Sequence, residues 1–328
     1  MTYAVSNLIV ASDYVTFRGV NDTSVAYTSG PQSQNAVAAL LGVGYASRGY
    51  GYTGLPMPLP AVGTLVVPTH WNTLLSALEL LNVHTGLDLS LESIVSTGNR
   101  IIANDGSNGR KNIAEIIADL DTYRYYADVS QMSLTNVLNS VRTSSWNYAS
   151  NVYHEFTVNF GTEDAARYFF NTGGSIYISA TRTSGLDSQM NLAVTQMLDE
   201  MGTIILGAEN VTYTGTNGNV TPIGFYNLTN TSEQIFSHYG DQSSMYSNIS
   251  YILTAKVENV LGVHGGNGSL IRFQAIFRLD DYSSDTYPYT YLVPTVTGIL
   301  TSSVSSYWAT GEINVPLPVF TTTIGVGP

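Results

Sequence analysis

The sequence contains no cysteine. Disulfide bridges, thiolate nucleophiles and zinc–thiolate centres are therefore excluded, and cysteine usage says nothing about the redox compartment. Charged residues are also scarce, at 11% of the chain, against ~25% in ordinary soluble domains. A surface with so few charges has to be built mainly from hydroxyl and amide groups. This composition suits proteins that live in contact with other subunits, extended β-rich fibres and lectins.

Positive charge is the scarcest kind. The net charge is −12, from 12 basic and 24 acidic residues, and the only lysines are Lys111 and Lys256. Because phosphate contacts dominate the affinity of proteins for nucleic acids, we expect no nucleic-acid partner. No apolar run approaches the ~18 residues of a membrane span, so none is expected. The first 17 residues do not have the pattern of a signal peptide, which predicts a protein made and folded in a cytoplasm.

The chain divides into four predicted segments. Residues 1–67 contain glycine- and proline-rich stretches and are predicted to form an extended arm or linker. Residues 68–150 have helical periodicity, and residues 151–312 have the alternation of a β-rich domain. Residues 313–328 contain two prolines and are predicted to form a second extended arm.

Three helices are predicted in the helical segment. The first follows Pro68, with Thr69 as its N-cap and Gly86 as its end. Its apolar face consists of Trp71, Leu74, Leu75, Leu78 and Leu81. A second helix is expected from Arg110 to Asp128. A third helical pattern runs through Leu134, Val137, Leu138 and Val141.

The β-rich segment contains seven candidate strands separated by polar turns, and one helix from Ser188 to Met201 interrupts them. The candidates are HEFTVNF, SIYISATRT, GTIILGAENVTYTG, VTPIGFYNLT, ISYILTAKVENV, SLIRFQAIFRLDD and YLVPTVTGILTSSV. The predicted fold class is α+β. An irregular arm and a small helical region precede a mainly antiparallel, sandwich-like β domain with one or two inserted helices.

The densest group of titratable side chains lies in residues 154–174. It consists of His154, Glu155, Glu163, Asp164 and Arg167. The period of two predicts a strand in which the histidine and the adjacent glutamate point to opposite faces and cannot share a proton. A helix is predicted from about Thr162 to Asn171, with the acidic pair in its first turn and Phe169 or Phe170 buried. These charged residues thus have structural roles, which we favour over catalytic ones.

No catalytic, cofactor-binding or metal site is predicted elsewhere. The GYGYTG stretch at residues 49–54 matches a dinucleotide-binding motif but leads into prolines rather than a helix, which favours a turn. No two of the five histidines have the spacing of a helical metal pair. The acidic loop with Asp280, Asp281 and Asp285 lacks the glycine and final glutamate of a calcium loop, and a hairpin turn is the preferred interpretation.

Several stretches resemble virion structural proteins of tailed bacteriophages, above all those of myophages and cyanophages. They are HEFTVNFGTEDAARYFFNTGG, SATRTSG, MGTIILG, VTYTGTNG, GFYNLT and GNGSLIRFQAIFRLDD, with RGYG and VPTHWNTL upstream. The likeness covers residues 48–281, and its most specific part is the strand–helix–Gly-Gly unit. It implies a non-enzymatic, oligomeric particle component of the tail, baseplate or fibre region.

Three functions are compatible with these features. The first is a tail fibre or fibre–baseplate adaptor that forms homotrimers and contacts neighbouring tail or baseplate proteins in the virion. The second is a receptor- or glycan-binding module that uses surface aromatic residues, with a host surface glycan as its partner. The third, an enzyme such as a polysaccharide depolymerase, needs a pair of carboxylates in a cleft that the sequence does not indicate. A neck or head decoration protein is a less favoured alternative.

Overall fold

The computed structural model describes residues 11–19, 36–58, 65–91, 96, 112–135, 137–147, 151–240, 249–279 and 295–326. The fold is α+β, as predicted: short helices come first, followed by mainly antiparallel sheets with inserted helices. Within the described residues, the α-helices are α1 (Ala11–Arg18), α2 (Val37–Leu41), α3 (Pro68–Thr85), α4 (Ile113–Thr122), α5 (Glu163–Asn171) and α6 (Gln189–Met201).

The strands of the first half are β1 (Met132–Leu134), β2 (Leu138–Arg142), β3 (Trp146–Asn147), β4 (Val152–Asn159), β5 (Ser175–Thr183), β6 (Ile204–Leu206) and β7 (Val211–Tyr213). Those of the second half are β8 (Asn219–Val220), β9 (Glu233–Tyr239), β10 (Ile249–Glu258), β11 (Leu270–Leu279), β12 (Thr295–Val296), β13 (Ile299–Ala309) and β14 (Val319–Val326). Every pairing between them is antiparallel.

The longer strands form two six-stranded sheets. Sheet I has the order β1-β13-β5-β6-β7, and β2 pairs with another part of β13. Sheet II has the order β14-β4-β11-β10-β9-β8. The inner faces bury alternate residues of each strand around one hydrophobic core, which also takes in α5 and α6. The sheets approach each other at both sides, where β2 lies beside β14 and β7 beside β8. The two sheets therefore form a sandwich around this core.

The helical region has its own hydrophobic core. Apolar residues of α1 to α4 pack together there, with Trp71 and Leu74 of α3 among them. Helix α3 ends at Gly86 as predicted, and this glycine has the left-handed conformation common at helix ends. Its start differs from the prediction: Val67 is the N-cap and Pro68 the first helical residue, because proline is preorganised for that position.

The prediction of an extended arm over residues 1–67 is wrong at residues 11–18 and 37–41, which form α1 and α2, whereas the described residues 42–58 contain no helix or strand. Tyr14 and Phe17 of α1 and the residues of α2 are buried and contribute to the helical core. Tyr14 and Leu40 are almost completely inaccessible to solvent. Glycines and prolines interrupt the regular secondary structure of this segment. The apolar side chains between them are nevertheless buried, because burial lowers their free energy relative to exposure to water.

The third predicted helix is also wrong. Residues 132–134 and 138–142 form β1 and β2, which both pair with β13. The apolar spacing imitates a helix face, but long-range pairing overrides so short a local pattern. The second helix is confirmed over a shorter range, Ile113–Thr122, because Asn112 caps it through a hydrogen bond from the Glu115 amide.

The predicted C-terminal arm is a strand. β14 pairs with β4 over its whole length, from Val319 opposite Asn159 to Val326 opposite Val152. Pro316 lies before the strand, since proline cannot donate to the hydrogen-bond ladder of a sheet.

Two further predictions of strands differ from the structure. The VTPIGFYNLT stretch contains only the end of β8 and a 3-10 turn, and the sequence did not indicate β9. Among the described helices, none is long and apolar enough to cross a membrane.

Candidate functional site

The strand–helix–strand unit around residues 154–174 is present as predicted, and it separates His154 from Glu155. His154 is fully buried between the sheets, where its Nδ1 lies 2.8 Å from the Ser302 Oγ of sheet I. Burial, with a smaller effect of the Arg142 charge, lowers the pKa of His154 to about 4. This histidine therefore stays neutral and joins the two sheets, while Glu155 lies on the outer face.

Glu155 belongs to an ion-pair cluster on the outer face of sheet II. Arg272 Nη1 donates to Glu155 Oε1 at 2.6 Å, and Arg272 Nε donates to Glu258 Oε1 at 3.0 Å. Lys256 Nζ lies 2.8 Å from the same Glu258 oxygen. Hydrogen bonds from Arg272 and then from Lys256 lower the pKa of Glu258 to about 2. The four charges neutralise one another across three strands.

Glu163 does more than the sequence indicated. It lies in the first turn of α5, and the Thr162 side chain caps that helix as predicted. Its carboxylate is buried and also accepts three consecutive backbone N–H groups of the β10–β11 loop. The distances are 2.5 Å from Leu261, 3.0 Å from Gly262 and 2.6 Å from Val263. The helix start and the distant loop are thereby fixed to each other.

Arg167 attaches the N-terminal segment to α5. Its guanidinium is fully buried and donates through Nη1 to Asp164 at 2.6 Å. Its Nη2 donates to the carbonyl oxygens of Val43 and Arg48, each at 3.0 Å. Asp164 also lies 3.0 Å from His264 Nδ1. Because this buried guanidinium joins the 43–48 segment to α5 through several hydrogen bonds, it has a structural role.

Asn171 and Tyr226 complete this junction. The Asn171 amide donates to the carbonyls of Ala46, at 3.1 Å, and Gly49, at 2.9 Å. The Tyr226 hydroxyl lies 2.7 Å from both the Ala46 carbonyl oxygen and Asn171 Oδ1, and its single proton serves one of them at a time. Burial raises the pKa of Tyr226 well above its usual value, so the hydroxyl stays protonated.

Of the other features that the sequence singled out, the glycine-rich stretch at residues 49–54 lies in the described part of the chain. Gly49 and Gly51 have positive φ angles of 100° and 72°, and the residues after them are not helical, as expected for a turn. No group of three or more His, Asp or Glu side chains that could hold a metal ion occurs among the described residues. The acidic loop at 280–285 lies outside them.

A cleft of about 210 Å³ lies at the C-terminal end of α5. The turn after α4, the start of β5 and the β6–β7 turn form its walls. They contribute Tyr125, Tyr126, Phe170, Gly173, Gly174, Ser175, Gly207, Ala208, Glu209 and Asn210. Glu209 is the single charged residue among them. Sequence reasoning missed this cleft, because its walls come from three separate parts of the chain.

The outer face of sheet I is free of charge. Residues directly paired in an antiparallel sheet share a face, and the partners of the buried inward residues identify the outward ones. The outward residues are Ser175, Tyr177, Ser179, Thr181, Thr183, Ile299, Thr301, Ser303, Ser305, Tyr307, Leu134, Asn139, Val141, Ile205 and Thr212. Hydroxyl groups dominate, and none of these positions is ionisable near neutral pH. We call this surface the charge-free face.

Comparison with known proteins identified no relative: no family model, no curated protein and no solved structure matched the chain.

Proposed function

We propose that this chain is a self-associating structural component of a tailed-phage virion, placed in the tail region as a fibre or fibre–baseplate adaptor. The observation that carries the proposal is the charge-free face of sheet I, which contrasts with the ion-paired face of sheet II. The resemblance of residues 48–281 to phage virion proteins supports the assignment to a particle.

Electrostatics makes the charge-free face the preferred contact between copies. Each copy carries a net charge of −12, so two copies repel each other, and contact at an uncharged surface adds the least further repulsion. The centres of protein interfaces are depleted of charged residues and enriched in tyrosine. The Tyr177 and Tyr307 rings stand edge to face on the charge-free face, with centroids 6.4 Å apart, which gives that surface an aromatic centre.

The same tyrosine pair supports the alternative function, a receptor- or glycan-binding module of the tail. Aromatic faces stack on sugar rings, and the surrounding serine and threonine hydroxyls can donate and accept hydrogen bonds. A glycan array of host surface polysaccharides separates the two functions. Saturable binding that Tyr307→Ala abolishes while the oligomer survives would favour the alternative.

The proposal is tested by placing a charge on each face in turn. Thr181 and Thr321 are both exposed threonines on outer strand positions, in sheet I and sheet II respectively. Thr181→Glu should convert the oligomer to monomers in light scattering, whereas the matched control Thr321→Glu should leave it intact. Equal effects of the two variants, or a monomeric parent chain without added partners, would contradict self-association through this face.

The position in the particle is tested separately. A cryo-electron microscopy map of the whole virion, with antibody labelling of this chain, is expected to show it in the tail region. Density at the head or neck, or none in the particle, would overturn the assignment.

A further inference from the structure

An exposed apolar loop tip projects from the N-terminal end of α5. It connects β10 to β11, and Val260, Leu261 and Val263 are 49%, 83% and 42% exposed there. Residues 260–263 carry no charged side chain. We call residues 260–263 the apolar tip.

The apolar tip is held in one conformation. The buried Glu163 carboxylate binds the amides of three of its four residues, and charge-assisted hydrogen bonds of this kind are the strong ones. Gly262 has a φ of 75°, a left-handed conformation in which glycine is unstrained. The Ala46 amide donates to the His264 carbonyl at 2.7 Å on the far side. A loop fixed before binding loses little conformational entropy on binding, so its exposed side chains are preorganised for a partner.

The cleft at the other end of α5 has the size and chemistry to receive such a side chain. A cavity of about 150 Å³ accommodates benzene, so the 210 Å³ cleft has room for a leucine side chain. The Tyr125 and Tyr126 rings in its walls offer apolar contacts beside polar groups, and the uncharged tip brings no like charge to Glu209. Since Leu261 is 83% exposed, the tip does not occupy the cleft of its own chain.

We propose that the apolar tip of one copy docks into the cleft of a second copy, with Leu261 as the inserted side chain. The proposal rests on the self-association proposed above and gives it a specific contact. Tip and cleft lie at opposite ends of a nine-residue helix, about 12 Å apart along its axis. The contact is therefore heterologous, and repetition of such a contact closes into a ring when the rotation permits. A homotrimer is one such ring.

Disulfide cross-linking tests this contact directly, because the chain has no cysteine of its own. One preparation carries Leu261→Cys and the other Asn210→Cys, an exposed wall of the cleft. Mixing the two under mild oxidation should give a cross-linked dimer, whereas neither variant alone should do so. Leu186→Cys mixed with Asn210→Cys is the matched control, since Leu186 is a leucine that is 72% exposed away from the tip, and it should give none. Glu209→Cys serves as a second cleft variant.

Substitution of the tip gives an independent measurement. Leu261→Asp should weaken self-association at least about tenfold in analytical ultracentrifugation, and Leu186→Asp should not. The docking of the tip into the cleft is overturned if the parent chain is an oligomer but the mixed variants do not cross-link. That result leaves self-association through the charge-free face intact. Cross-linking of Leu261→Cys alone indicates a symmetric contact and overturns the docking too. A monomeric parent chain removes both proposals.

Discussion

At the scale of single residues, Glu163 shows where sequence reasoning stops. Its place in the first turn of α5 followed from the Thr162 cap and the preference of carboxylates for the positive end of a helix. Its three bonds to residues 261–263 could not be predicted, because they join parts of the chain about a hundred positions apart. The same holds for Arg167, whose backbone acceptors lie in residues 43–48.

The Glu163 bonds predict a specific loss of stability. In Glu163→Gln, the charge is lost and the new amide places donors against the backbone N–H groups of the loop. We expect a decrease of about 2–3 kcal/mol in the free energy of unfolding, measured by urea denaturation, with faster hydrogen exchange at the Leu261 to Val263 amides. Glu209→Gln, at an exposed carboxylate, is the control and should change stability by less than about 0.5 kcal/mol. Unchanged hydrogen exchange at the loop amides would show that the Glu163 carboxylate does not fix the loop.

Two buried histidines predict the response to acid. Burial lowers the pKa of His84 and of His154 from 6.5 to about 4. Between these pH values the unfolded chain binds more protons than the folded one. The contribution of the two histidines to the free energy of unfolding is therefore fully present above pH 6.5 and decreases as the pH approaches 4. Each histidine contributes at most roughly 3 kcal/mol to this loss.

Urea denaturation at pH 7.5, 6, 5 and 4 measures that profile. In His84→Phe, one of the two groups is absent, so the decrease between pH 6.5 and 4 should be smaller than in the parent chain. The phenyl ring can keep the packing against Tyr50, whose ring centroid lies 5.1 Å from that of His84. A stability that does not change over this range, or that increases, would contradict the assignment of neutral buried histidines.

At the scale of elements, the sequence predicted the helices and strands whose ends are marked by a capping residue, a glycine or another local signal. The helix α5 has a threonine cap and a Gly-Gly end, and strand β5 coincides with the SIYISATRT stretch. α6 begins after the Ser188 cap as expected. The prediction failed for β1, β2 and β14, because their structure depends on partner strands far away in the sequence.

Phe170 of α5 gives a prediction at this scale. Its ring is fully buried and stacks on Phe225, with centroids 4.3 Å apart. Phe170→Ala should lower the free energy of unfolding by about 3–5 kcal/mol through lost burial and a residual cavity. Tyr239→Ala, at a ring that is 46% exposed, is the control and should cost much less. Thermal and urea denaturation of both variants make the comparison, and similar losses would contradict the core position of Phe170.

At the scale of the whole molecule, composition predicted a surface poor in charge but could not place the charges. The face on which a residue lies depends on strand register, which only long-range pairing defines. The pairing collects Glu155, Lys256, Glu258 and Arg272 on sheet II and leaves the outer face of sheet I without charge.

This distribution predicts the effect of salt on self-association. If copies meet at the charge-free face, salt breaks no ion pair between them and screens the repulsion of like net charges. Raising the ionic strength should therefore leave the oligomer unchanged or strengthen it, with a trimer as the expected state in light scattering. Dissociation at high salt would show instead that ion pairs between copies hold the assembly.

The junction around Arg167 has a consequence for biosynthesis. The carbonyl of Ala46 is held by groups as distant as Tyr226, and its amide by the carbonyl of His264. During translation at about 5–20 residues per second, residues 43–49 leave the ribosome roughly 10–40 s before the last of these partners exists. Over that interval the apolar residues of α2 can already pack against α1, α3 and α4, which share their core, whereas the hydrogen bonds of Ala46 to Tyr226 and His264 are still missing. Residues 43–49 are thus synthesised well before the residues that form these hydrogen bonds with them.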